Sequence, residues 1–212
     1  MQRRERIKFI WIFFLSSFLF LFLSFMVGAD TFRTLDYDSL IWIQKNVQRS
    51  VDVPLSFLSI LGSTEVTLAI AGIIFFGIYI KTKKLFWGIW LYFLIFVIEL
   101  IGKTIIFHPA VPPLFHRYAL GIRFPSSSFV HTAYSFPSGH MARTAFLVFI
   151  IFSLLLWRVK DMRRRIKYTT LLFFYLLGMF ISRISLGEHW LSDVMGGTVL
   201  GASIASLAFA LW

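Results

Sequence analysis

His189 and Asp193 stand four residues apart. On a helix that spacing places both on one face, where the carboxylate can accept a hydrogen bond from one imidazole nitrogen. The other nitrogen is then available as a nucleophile or a base. Upstream in the same stretch, Arg183 offers a planar fork of donors suited to a tetrahedral oxyanion such as phosphate. Earlier in the chain, Ser138-Gly139 opens an apolar run, offering a hydroxyl and close-approaching backbone N–H groups at the positive end of a helix. His140 sits at that same junction and can give a proton to a leaving group. Two histidines, an orienting carboxylate and an anion cradle together read as phosphoryl transfer through a phosphohistidine, with no metal or cofactor required.

The chain that must position these groups has 212 residues, 58% of them hydrophobic and 19% aromatic, and a mean hydropathy of +0.79. Those values lie outside the range of soluble domains and inside that of polytopic membrane proteins, as one membrane domain. Charged residues beside membrane-length segments are costly to place, which strengthens the case for a site. There is no cysteine, so disulfides, thiolate catalysis and Cys-based zinc sites are excluded. The net charge is +11, but its distribution argues against nucleic acid. Arg3, Arg4, Arg6 and Lys8 precede the first apolar run, Lys81, Lys83 and Lys84 follow the second, and Arg158, Lys160, Arg163, Arg164, Arg165 and Lys167 separate the fourth from the fifth. An excess confined to alternate connections is the positive-inside pattern.

Apolar runs predict an all-α bundle of six transmembrane helices, at about 9–28, 64–80, 85–107, 140–157, 168–184 and 191–212, with both termini cytoplasmic. The first run exceeds the apolar core of a cleaved leader and reads as a retained span. Between the first two spans, residues 30–62 are mixed in character. There Leu40-Ile41-Trp42-Ile43 with Val47 and Val51 fits either an amphipathic interfacial helix or an ordinary external loop packed on the bundle. Residues 108–137 hold all but one of the prolines and are expected to form an external loop, whose Phe115, Tyr118, Phe124, Phe129 and Tyr134 would serve as a lid or as packing. Gly196, Gly197 and Gly201 permit close helix approach in the last span, within the bundle or between subunits of a homo-oligomer.

Two signatures in this order, Pro137-Ser138-Gly139-His140 and Ser182-Arg183 through His189 to Asp193, are those of the type 2 phosphatidic acid phosphatase (PAP2) superfamily of membrane phosphatases, which the chain resembles. The resemblance implies that His189 attacks phosphorus, Asp193 holds it, His140 protonates the leaving oxygen, and Arg183, Ser138 and the Gly139 amide bind phosphate. A third signature is incomplete. Lys103 matches the family's lysine, but the arginine expected seven positions later is Ala110. Arg143, three residues beyond His140 and on the same helix face, is the expected replacement, with Arg117, Arg123 and His108 as rivals. Glu99, four residues before Lys103, allows either a structural ion pair or a lysine that contacts phosphate, and the match of Lys103 to the family's lysine favours contact.

The activity so implied is hydrolysis of a phosphate monoester or pyrophosphate on a membrane lipid, at the extracytoplasmic face of the plasma membrane. A phosphotransferase using the same intermediate, and a lipid-binding member that has lost activity, are the competing readings. His108, His116 and His131 are read as structural.

Overall fold

A computed structural model of the chain describes residues 3–83, 86–117, 120, 132 and 134–212. Among the described residues every regular element is helical: α1 (Arg3–Gly28), α2 (Arg33–Asn46), α3 (Asp52–Leu61), α4 (Thr64–Thr82), α5 (Gly88–Ile105), α6 (Gly139–Arg158), α7 (Met162–Ser185) and α8 (Leu191–Ala210). Six of these, all but α2 and α3, are long and apolar enough to cross a membrane. The six-span architecture anticipated from hydropathy is therefore present. Its boundaries move most at α7, which begins at Met162. The Asp161 side chain accepts a hydrogen bond from the Arg164 amide at 2.9 Å and caps the helix there, so Arg163, Arg164, Arg165 and Lys167 lie in its opening turns.

Helices α6 and α8 form the centre of the bundle. Phe146, Ile150, Leu200, Ile204 and Ala208 are almost wholly buried between them and their neighbours, whereas Trp11, Leu15 and Phe18 of α1 remain largely exposed, as a lipid-facing surface requires. Two pairs of polar groups inside the spans bond to each other across helices. Ser17 of α1 meets Ser203 of α8 at 2.7 Å, and Tyr92 of α5 donates to Thr67 of α4 at 2.8 Å. Arg6 donates to the Trp212 carbonyl at 2.6 Å, so both ends of the chain lie at one end of the bundle. Lys81, Arg158 and Trp212 line one cavity, which puts the basic connections at that end too.

The opposite end is roofed by α2 and α3, which pack on α7, α2 also touching α8. Residues 33–46 thus form a helix seated on the bundle: Leu40 is fully buried, while Trp42 faces outward. The link between α5 and α6 returns through 106–117, where Arg117 donates to the Gln44 and Val47 carbonyls at the end of α2. Phe115 and Tyr134 pack on Tyr37 and Phe107. The lid expectation for Tyr118, Phe124 and Phe129 lies outside the described residues.

The last-span glycines face this chain's own α6. A Cβ at Gly201 would sit 2.3 Å from the Ala142 carbonyl oxygen, one at Gly197 would sit 2.4 Å from the Ser138 carbonyl oxygen, and one at Gly196 would strike the Phe136 ring. Of the two alternatives for these glycines, packing within the bundle is the one realised here. Gly201→Ala should lower stability by about 1–3 kcal/mol through overpacking against backbone, read as reduced thermal stability in detergent. Gly72→Ala, where a Cβ meets nothing within 4 Å, should leave stability unchanged or slightly raised.

Candidate active site

The close α6–α8 approach brings two helix beginnings side by side. The Ser138 amide donates to the Asp193 carbonyl at 3.0 Å, joining the turn before α6 to the first turn of α8. The opening amides of α6 lack carbonyl partners within their helix and concentrate positive potential there. Ser138 Oγ, buried at that point, has no hydrogen-bond partner. Arg143 and Arg183 are 3% and 2% exposed, and each keeps a buried Nε without a partner. Buried donors left open in this way fit an anion that the site is built to receive.

Carboxylates hold the cations in place. Glu99 Oε1 accepts from Lys103 Nζ at 2.8 Å and Glu99 Oε2 from Arg143 Nη1 at 2.6 Å, while the Arg143 guanidinium lies over the Phe96 ring. The Glu99 carboxylate rests on Gly139, and any side chain at 139 would collide with it. Arg183 donates to Ser59 and Glu188. Lys103 and Arg143 thus share Glu99, which lies against Gly139, Arg143 reaching it from α6. Arg117 is engaged at the end of α2, and His108 lies behind Asp193. Arg123 and His131 lie outside the described residues.

The two histidines share this end of the bundle. His140 feels the charges of Arg183, Arg143, His189 and Lys103. His189 Nδ1 meets Asp193 Oδ2 at 3.1 Å, so the one-face geometry expected from the four-residue spacing is realised. Burial lowers the His189 pKa, the hydrogen bond and charge of Asp193 oppose that, and Arg183 and Lys103 reinforce it. The net direction is downward, favouring a neutral ring.

Sequence reasoning did not find the rest of the network around Asp193. This fully buried carboxylate also accepts from the Trp190 amide at 3.1 Å through Oδ2, and its Oδ1 meets His108 Nδ1 at 2.8 Å and Ser135 Oγ at 3.2 Å. The far side of the His108 ring, Nε2, faces Asp36 Oδ2 at 3.3 Å. Asp36 in turn accepts from the Ser192 amide and hydroxyl, both at 2.7 Å, at the start of α8. These contacts set His108, read from sequence as structural, directly against Asp193. The signal available in sequence was its position beside Pro109, where the incomplete signature departs from its family.

Residues 106–212 match the family model described as the PAP2 superfamily. Among solved structures, the first transmembrane PAP2 type phosphatidylglycerolphosphate phosphatase from Bacillus subtilis is similar, with a TM-score of 0.68 and 19% identity over 92% of this chain and 93% of that one. Aquifex aeolicus LpxE is similar with a TM-score of 0.58 and 24% identity over 82% of this chain and 94% of that one. No curated protein matches the chain by sequence.

Burial disfavours a charged His108, but its hydrogen bonding to Asp193 and Asp36, and their charges, outweigh it and push its pKa up to about 9 from 6.5. A folded-state value above the unfolded one stabilises the fold fully below about pH 6.5, and the contribution is lost as pH rises through about 9. It amounts to about 3 kcal/mol if the whole shift is expressed. Thermal stability in detergent should therefore fall between about pH 7 and 9.5, and His108→Gln should flatten that fall.

Proposed function

The chain belongs to the PAP2 superfamily, and from that premise we propose that it hydrolyses a phosphate monoester or pyrophosphate on a membrane lipid through a phosphohistidine formed on His189. The observation that carries this reading is the juxtaposition of a carboxylate-bound His189 with His140 and with buried guanidinium and hydroxyl donors that lack partners. The two similar structures include a phosphatidylglycerolphosphate phosphatase, which supports a lipid-borne substrate.

In the first step the unshared pair on His189 Nε2 attacks phosphorus and the bond from phosphorus to the lipid oxygen breaks. Asp193 accepts a hydrogen bond from Nδ1–H, fixing the tautomer and favouring the positive charge that grows on the ring. His140 passes its proton to the departing lipid oxygen. The arriving phosphate sets negative charge beside His140 and so favours its protonated form. In the second step water attacks the phosphohistidine, His140 takes the water's proton, and inorganic phosphate leaves as the P–N bond breaks. Throughout, Lys103, Arg143, Arg183, Ser138 Oγ and the Gly139 amide stabilise charge on the non-bridging oxygens. Lys103 and Arg143 change partner, from Glu99 to phosphate, when substrate enters.

The membrane setting follows the same logic. Basic connections gather at one end and the site at the other, so the positive-inside bias puts the termini in the cytoplasm and the site outside. With its outward-facing apolar surface the chain would sit as a multi-pass protein of the plasma membrane.

Phosphate release from a panel of phosphorylated lipids by the purified protein tests the activity. His189→Ala should abolish release, and release unchanged in that variant would overturn the assignment. Arg143→Ala should reduce kcat/KM by about 30- to 1,000-fold, corresponding to about 2–4 kcal/mol of transition-state stabilisation. Chelators should have no effect, and kcat/KM should show two limbs, because His189 must start neutral and His140 protonated.

A further inference from the structure

His108 has a carboxylate on each ring nitrogen. Nδ1 lies 2.8 Å from Asp193 Oδ1 and Nε2 lies 3.3 Å from Asp36 Oδ2. A neutral imidazole has one N–H and can donate to only one of them, leaving a lone pair facing the other anion. Only the doubly protonated ring satisfies both. All three groups are at least nine-tenths buried, so a mismatch there would be costly.

We propose that His108, held as a cation between Asp193 and Asp36, is a positioning residue for the reaction: it fixes the Asp193 carboxylate against His189 and weakens the field that this carboxylate exerts on the nucleophile. The inference rests on the function proposed above. Asp193 alone would favour protonation of His189, which would remove the lone pair needed for attack. A positive His108 on the opposite oxygen offsets part of that field while leaving the hydrogen bond to His189 intact. The pKa of about 9 for His108 agrees with the geometry.

The neighbours of both rings are consistent with this division of labour. Around His189 stand Asp193 on α8, Arg183 on α7, Lys103 and Glu99 on α5 and His140 on α6. Around His108 stand Asp193, Asp36 on α2, Ser135 and the Trp190 ring. The cations that act on His189 from the substrate side become neutralised when phosphate binds. His108 lies on the far side of Asp193, with Asp36 as its second counter-ion, so its influence persists through the reaction. Asp36 also accepts from the Ser192 amide and hydroxyl, which gives α2 a direct part in assembling the site.

The test is the pH dependence of kcat/KM for lipid-phosphate hydrolysis by wild type and His108→Gln. Glutamine keeps a donor but not the charge. The limb that reports deprotonation of His189 should move up by about one pH unit, a tenfold loss of kcat/KM below the limb, with KM within about twofold of wild type. A folded variant whose limb stays in place, active or impaired, would overturn the proposal, because a purely architectural histidine would lower activity without moving the profile. Nitrogen-15 spectra of histidine-labelled wild-type protein give a second reading that does not depend on the variant's folding. Once the other four imidazoles are assigned by single substitutions, the remaining one should carry protons on both ring nitrogens at pH 7.5, and a singly protonated ring would refute it. If wild type releases no phosphate from any lipid, the activity fails, while the spectra still decide the charge of His108.

Discussion

The site depends on one buried carboxylate. Asp193 has no exposure to solvent, yet it is anchored from several directions: the Trp190 amide and His189 on one oxygen, His108 and Ser135 on the other. An ionised group so placed is tolerable only when its lone pairs are matched by donors of good geometry. The matching donors come from three separate stretches of chain, and Asp36, which faces the far nitrogen of His108, ties a fourth to them. Satisfying one carboxylate therefore draws α2, the segment after α5, the turn before α6 and the start of α8 to the same place.

Close helix approach makes that convergence possible. Gly197 and Gly201 let α8 lie against the backbone of α6, so the Ser138 amide can reach the Asp193 carbonyl. The two helix beginnings then lie together, with the opening amides of α6 at the end of the bundle where the two arginines and the lysine also gather. Helical spans supply rigidity, and the chemistry sits where they end. Gly187, at φ +71 and with the Phe115 carbonyl where a side chain would be, gives the same service on the outer edge.

The sequence exposed the six spans because membrane-length apolar runs and clustered cations are local signals. It also exposed His140, Arg183, His189 and Asp193, whose spacing within two short stretches carries their geometry. Asp36, His108, Glu99 and Glu188 have partners that spacing alone does not give: the contact of Asp36 with Ser192 spans 156 positions and that of His108 with Asp193 spans 85. For Glu99 the nearby Lys103 was visible and the distant Arg143 was not. The early start of α7 was hidden for a different reason. A run of arginines resembles a connection until Asp161 is seen to cap it.

In the proposed reaction His189 carries the phosphoryl group. Rapid quenching of the protein during turnover of a lipid substrate labelled in its phosphate, followed by peptide mapping, tests it most directly. The expected label survives alkali, is lost in acid and maps to the peptide containing His189. Label on another residue, or turnover with no protein-bound phosphate at any quench time in a variant slowed at the second step, would contradict it.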